Sequence, residues 1–306
     1  NLLMVYLAIE LVSIPSYMLS GFNFNDKKSN EASIKYVLYG SFASGLMLFG
    51  MSWLYGQTGT LYFHDLNLML IRYQDMSLIS IISFIFVFAG LGYKISSAPF
   101  HYWAPDVYQG SPLSVTTFFA IAPKIAGMAL LIRFMYFIFT DFSFLTFNAT
   151  KSIYIDWNLI LALLSALTMT IGNILALLQK DIKRILAYSS ISHVGFIMMG
   201  FAVVSTSAIT HMIFYMIFYM FMTLSAFTIA VYFYSFYSIN KVEQLSGFGY
   251  IHPFICGFMV LNLLSLSGLP PTSGFVSKFY ILASIIESKT YYWLVVVAVM
   301  NTVISL

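Results

Sequence analysis

Apolar positions in this chain run in long unbroken blocks. They do not alternate as in a half-buried strand, nor keep to one stripe as in a surface helix. A bilayer core about 30 Å thick takes about 20 apolar residues per helix. Blocks of that size cover roughly 1–20, 33–54, 78–100, 113–139, 157–178, 185–204, 208–236, 252–286 and 291–306, about nine candidate spans. Backbone groups in lipid must be satisfied within the segment, and continuous blocks do not suit a membrane β-barrel, so these are helices. The pattern therefore predicts an all-α polytopic membrane protein. The block 252–286 is too long for one simple span. The chain is already apolar at Leu2 and stops at Leu306 inside an apolar run, so both ends read as cut from something longer. No charged leader or cleavage pattern reads as a signal peptide.

The polar connections fall into two alternating sets. One holds Asp26 to Lys28 with Lys35, His101 to Asp106, Lys180 to Arg184, and Lys241 to Glu243. The other holds His64 to Asp75, Arg133 to Asp156, and Glu287 to Lys289. The first carries seven Lys and Arg (27, 28, 35, 180, 183, 184 and 241) and the second four (72, 133, 151 and 289). The positive-inside rule puts the first set on the cytoplasmic or matrix side.

Composition agrees. Of 306 residues 60% are hydrophobic and only 8% charged, against roughly 25% in soluble domains, and the formal net charge is +3. So few charges cannot cover a soluble globule. This excludes a cytosolic enzyme, a nucleic-acid binder with a basic face and a disordered regulator. Cys256 is the one cysteine, which excludes a disulfide scaffold and any cysteine-ligated zinc or iron–sulfur site held by this chain alone. There is no GxxxxGK[ST] loop, and Gly247-Phe248-Gly249 lacks the third glycine of a dinucleotide fingerprint. Neither a metal site nor a cofactor site is expected on this chain.

The informative residues are ionisable ones inside apolar blocks: Glu10, Lys94, Lys124, His193 and Lys278. One such group at mid-membrane costs about 2.5–3.5 kcal/mol on insertion scales. They should face the bundle interior, pair with one another or line water. Snorkelling to the interface suits Lys35 and Arg133, but Lys94, Lys124 and Lys278 each have six or more mainly apolar neighbours on both sides. His193 reads equally as a relay member and as a buried histidine bonded to a carbonyl; His101 and His211 read as interfacial packing. Burial disfavours an ammonium and a nearby carboxylate favours it, so lysines placed this way can take up and release protons. Glu10 is expected to lie close enough to Lys94 to couple with it, directly or through water.

Two blocks carry breaks. Gly90 and Gly92 precede Lys94 and Pro99 follows it; Gly268, Pro270 and Pro271 precede Lys278. Proline removes a helix donor and clashes with the preceding turn. Two interrupted helices, each with a lysine, point to a transporter built from repeats.

The stretch GYKISSAPFHYWAPDVYQGSPLSVTTFFAIAPKIAG at 92–127 resembles subunit 2 of the proton-pumping NADH:ubiquinone oxidoreductase, respiratory complex I, whose bacterial form is the N subunit and whose chloroplast form is the B subunit. Supporting matches are EASIKYVLYGSFASGLMLFGMSWLYGQTGTLYF at 31–63, QKDIKRILAYSSISHVGF at 179–196 and LSLSGLPPTSGFVSKFYIL at 264–282. The resemblance implies an antiporter-like fold with inverted five-helix repeats and two broken helices, lacking the family's first four and last helices. Roughly 1–139 would be an incomplete first repeat and 157–306 the second, within one transmembrane domain. It implies that Glu10, Lys94, Lys124, His193 and Lys278 belong to a proton relay without redox chemistry. NADH, FMN, iron–sulfur clusters and ubiquinone are then expected in other subunits. Implied partners are other membrane-arm subunits, including sister antiporter-like ones, membrane lipids, and a separate chain if one supplies the missing N-terminal helices; no nucleic acid is implied. Readings in other classes are a cation/proton antiporter subunit and a structural scaffold with inert lysines. Thr223 and Ser225 stand where the family usually has Asn and Gly, a local departure in 219–227. Abundant Phe and Tyr with few Arg favours a mitochondrial inner membrane over a thylakoid or bacterial one.

Overall fold

The computed structural model describes residues 1–72, 78–139, 157–203 and 205–306. Its elements are helices: α1 (Leu2–Ser20), α2 (Lys27–Thr58), α3 (Phe63–Arg72), α4 (Leu78–Ile95), α5 (Trp103–Gly110), α6 (Leu113–Phe139), α7 (Trp157–Leu177), α8 (Ile182–Met198), α9 (Thr206–Tyr237), α10 (Phe248–Ile251), α11 (Pro253–Ser267), α12 (Ser273–Ser288) and α13 (Tyr292–Ile304). Among the described residues α1, α2, α6, α7, α8 with its following 3₁₀ turn, and α9 are long and apolar enough to cross a membrane. Local chemistry sets their ends. Asp26 accepts the Lys28 N–H at 3.0 Å, Asp181 accepts those of Lys183 and Arg184, and Ser205 accepts that of Ala208, each covering orphan donors at a helix start.

The bundle is organised around α8. In its span 89% of residues are buried, against 17% for α1. Helices α7, α5, α9 and α12 surround it, and α6 packs on α9. An apolar helix can pack so closely only where side chains are small. A Cβ on Gly172 of α7 would lie 2.6 Å from the Ser192 nitrogen of α8, and one on Gly195 of α8 would strike the Met169 nitrogen of α7. Two backbones therefore touch at two reciprocal points.

The structure refines the expected blocks. The 33–54 block is the middle of a longer helix, because Asp26 caps it and Gly59 ends it with φ +69°. Much of the polar connection expected over 64–75 is helical: it falls in α3, Phe63–Arg72, whose Leu66 is fully buried in the core. Gly90 and Gly92 do not break α4: both are helical, and Gly90 instead lets Met47 approach, a Cβ there lying 2.6 Å from the Met47 Cβ. That first break falls at residues 96–102, where Ser96 takes φ +61° and the Ala98–Pro99 bond is cis. The second falls at 268–272, with Gly268 at φ +88° and Pro270–Pro271 cis, and divides 252–286 into α11 and α12.

Gly172→Ala and Gly195→Ala should each destabilise the protein by about 1–3 kcal/mol through overpacking. Gly45→Ala, in α2 where a Cβ meets nothing within 4 Å, should be neutral or stabilising by up to about 1 kcal/mol. Thermal unfolding of the detergent-solubilised protein measures this; equal midpoints for all three would count against the tight α7–α8 contact.

Candidate functional site

Helix α4 ends one residue past Lys94, so the broken segment begins beside it. Lys94 is 5% exposed. Its ammonium donates to Ser13 Oγ of α1 at 2.8 Å, and its stem lies against Gly127 of α6. Glu10 stands three residues before Ser13 and hence on the same helix face. It is half-buried and accepts the Ser44 hydroxyl of α2. Among the described residues no ion pair joins Glu10 to Lys94; the two converge on adjacent turns of α1, with Ser13 as the lysine's direct partner.

Lys124 is 1% exposed in the middle of α6. It donates to Ser190 Oγ of α8 at 2.7 Å and lies 5.4 Å from the Tyr108 ring centroid. Pro123 interrupts the α6 ladder here, and the Tyr219 hydroxyl of α9 donates to the nearby Ala120 carbonyl at 2.8 Å. Lys94 and Lys124 thus take different partners on different helices.

Lys278 uses the second break. Its ammonium donates to the Ser267 carbonyl at 2.7 Å and to that of Leu266 at 3.3 Å, two acceptors in the last turn of α11. It also lies 4.4 Å from the Phe196 ring centroid. The helix end supplies lone pairs and a partial negative charge to the buried cation.

These groups meet along one stripe of α8: Ser190, His193 and Phe196, spaced by three. Ser190 holds Lys124 and Phe196 covers Lys278. His193 between them is 3% exposed, and its Nδ1 bonds the Tyr215 hydroxyl at 2.8 Å, not a carbonyl. Sequence reading missed the serines; their signal was polar residues recurring inside apolar helices, as in SSISH. His101 is also corrected. It is 1% exposed beside the first break, with neither ring nitrogen hydrogen-bonded. His211 stacks on Tyr280 at 5.3 Å. A cavity of about 870 Å³ has His193, Lys278, Ser267, Lys180 and Glu243 among its lining residues.

The first polar set gathers at one end of the bundle. Asp106 of α5 accepts Lys35 of α2 and Arg184 of α8, each at 2.7 Å. Gln109 bonds both Arg184 and Asp181, and Lys183 donates to the Ser111 carbonyl at 2.8 Å. An antiparallel bridge joins Asp181 to Lys241, and Lys180 pairs with Glu243 at 3.0 Å. The Asp75, Asp141, Lys151 and Asp156 positions of the second set lie outside the described residues.

Comparison with known proteins follows the same lines. Residues 1–305 match the family described as NADH:quinone oxidoreductase/Mrp antiporter, TM. The chain belongs to that family. It is 40% identical over 321 residues to NADH-quinone oxidoreductase subunit N of Anaeromyxobacter sp. (strain Fw109-5), covering all of this chain and 62% of the relative. Among solved structures, a chain of respiratory complex I from Thermus thermophilus is 31% identical with a TM-score of 0.79, over 99% of this chain and 63% of that one. A chain of the Mrp complex from Dietzia sp. DQ12-45-1b shares the fold, with a TM-score of 0.86 at 23% identity over 100% of this chain and 55% of that one. The chain thus spans about three fifths of the length of the curated relative.

Gly268→Ala should lower stability by about 1–2 kcal/mol, the cost of a left-handed residue with a Cβ. The added Cβ would also lie 2.9 Å from Lys278 Cδ. Amine-reactive labelling should then reach Lys278 more readily; unchanged labelling and stability would contradict its seat at this break.

Burial pushes the Asp106 carboxyl up, but the hydrogen bonds and charges of Lys35 and Arg184 outweigh it and leave the group below its ordinary range. A depressed carboxylate contributes stability above its unfolded pKa of about 3.9 and loses it as pH falls through the folded value. Asp106→Asn should therefore unfold at lower temperature than the parent at pH 7, with the difference shrinking toward pH 3. A pH-independent difference in melting temperature would contradict the ion-pair contribution.

Proposed function

We propose that this chain is a membrane-arm subunit of an NADH:quinone oxidoreductase that translocates protons through Glu10, Lys94, Lys124, His193 and Lys278. The observation that carries the reading is that three lysines, each at most 5% exposed, sit in one bundle on oxygen partners, and that α8 links the last two. The likeness to curated subunit N over the whole chain supports it. The chemistry expected of the lysines is proton uptake and release. A charge change arriving from a neighbouring subunit would alter the balance between ammonium and amine at each. Electron transfer would belong to other subunits, which would hold the NADH, FMN, iron–sulfur clusters and ubiquinone. The working membrane would be an energy-coupling inner membrane; the mitochondrial setting rests on amino-acid usage, and the subunit N relative described above is bacterial. Helices α1–α6 and α7–α13 would correspond to the incomplete first and the second inverted repeat.

The test is an assembled complex in vesicles, assayed for quinone reduction and for the proton gradient. Lys124→Ala should impair pumping and slow electron transfer only as far as the two are coupled. Lys124→Arg should not restore it fully, since Arg cannot readily deprotonate. A variant that assembled and pumped at the parental ratio and rate would favour the inert scaffold. Proton movement driven by a sodium gradient without NADH would favour the antiporter.

A further inference from the structure

Helices α1 and α6 leave a groove of about 630 Å³ between them. Its α1 wall includes Met4, Val5 and Ala8, and its α6 wall Ala126, Ala129, Leu130 and Arg133. Each set keeps the three- and four-residue spacing of a single helix face, so two faces look at each other across the gap. Alanines make the room, and Ala8, Ala126 and Ala129 are exposed, so the groove opens sideways toward the bilayer. Arg133 stands seven residues beyond Ala126, which at 1.5 Å per residue is about 10 Å along α6. The groove therefore runs from a cationic mouth to an apolar floor.

The mouth is held by α3. The Leu2 N–H donates to the Leu61 carbonyl at 2.8 Å, so α1 begins beside the turn into α3. Asn67 of α3 donates to the Phe137 carbonyl of α6 at 3.1 Å, and the Phe63 ring meets that of Phe134 edge-on at 6.2 Å. This brings His64 to the groove with Arg133. Both belong to the second polar set, where an arginine can lay its stem on apolar surface and keep its head at the membrane boundary. Among the described residues neither side chain takes an ion pair or a hydrogen bond. No carboxylate lines the groove; Asp65 follows His64 in sequence but is not part of the wall.

We propose that this groove is a binding site for an anionic phospholipid, with its phosphate on Arg133 and His64 and one acyl chain between α1 and α6. The Arg133 guanidinium offers paired N–H donors that match phosphate oxygens, and the His64 ring adds a further N–H. The acyl chain lies along Val5, Ala8, Ala126 and Ala129, where the walls offer it carbon and no polar side chain. Two unmatched donors call for an anion. With no carboxylate in the wall, nothing meets the amine of a zwitterionic headgroup. A transmembrane helix is the poorer occupant. Being 10–12 Å across with its side chains, it would need about 800–1,200 Å³ over the same 10 Å. It would also have to bring its own anion to Arg133.

The test uses the assembled complex in vesicles of phosphatidylcholine with a minor share of phosphatidylglycerol. One of the two lipids carries a photoactivatable group near the end of an acyl chain, and labelled positions are mapped by mass spectrometry. The phosphatidylglycerol probe should label the stretches 5–8 and 126–130, and the phosphatidylcholine probe much less at equal amount. Arg133→Ala should cut labelling by phosphatidylglycerol about tenfold or more, the usual weight of a charge-assisted hydrogen bond, and leave phosphatidylcholine unchanged. Ala129→Phe, which fills the groove from an exposed position, should remove the preference while the melting temperature stays at the parental value. Equal labelling of the parent by both probes would mean ordinary lipid contact and overturn the proposal. So would unaltered phosphatidylglycerol labelling of Arg133→Ala. Electron cryo-microscopy of the complex in the same lipids gives an independent reading. Phosphate density at Arg133 with a chain between α1 and α6 supports the site; a polypeptide segment filling the groove overturns it.

Discussion

A cation taken out of water must find oxygen atoms, and most of the functional geometry here follows from that. Each buried lysine ends on one or two lone pairs: a serine hydroxyl for Lys94, another for Lys124, and the carbonyls ending α11 for Lys278. Neutral partners leave the lysines able to change charge. A direct carboxylate pair would hold each as an ammonium, because an opposite charge favours the charged form. Glu10 meets this limit by standing on the next turn of α1 and taking its own hydrogen bond from Ser44.

The same requirement explains the helix breaks. Helix interiors present no free backbone acceptors, while each helix end leaves carbonyls without intrahelical partners. At Gly268 the chain stops α11 within the bundle, and Lys278 fills the vacancy in the hydrogen-bond ladder. The glycine is required twice, for its left-handed backbone and for the approach of the lysine stem. At the other break the chain turns from α4 into α5, and Asp106 then fastens α5 to α2 and α8. The charged end of the bundle thus fixes the segment between Lys94 and Lys124 from outside, while the interior stays poor in charge.

Helix α8 is where the two halves of the site meet. Its close contact with α7 depends on glycines, and its buried length brings Ser190, His193 and Phe196 onto one stripe. A polar stripe in a fully surrounded helix has no lipid-facing alternative, so its hydroxyls and imidazole must be satisfied by neighbouring helices or by water. Tyr215 of α9 meets this need at His193, and Lys124 of α6 meets it at Ser190.

The sequence alone determined that the chain is a membrane helix bundle, because the apolar blocks and scarce charges permit little else. It also singled out Lys94, Lys124 and Lys278, since an ionisable residue is conspicuous among apolar neighbours. The second break was legible in full from Gly268, Pro270 and Pro271; at the first only the proline was, because Gly90 looks like a breaker in sequence and serves helix packing in space. Only the tertiary structure decided which groups meet. Ser13, Ser190 and Tyr215 are ordinary residues in sequence, and His101 reads as interfacial until the fold encloses it. Periodicity reports which face of a helix is apolar, but here the helices are apolar nearly all round. The facing of each polar atom is therefore set by the neighbour that supplies its hydrogen bond, and that neighbour lies tens of residues away along the chain.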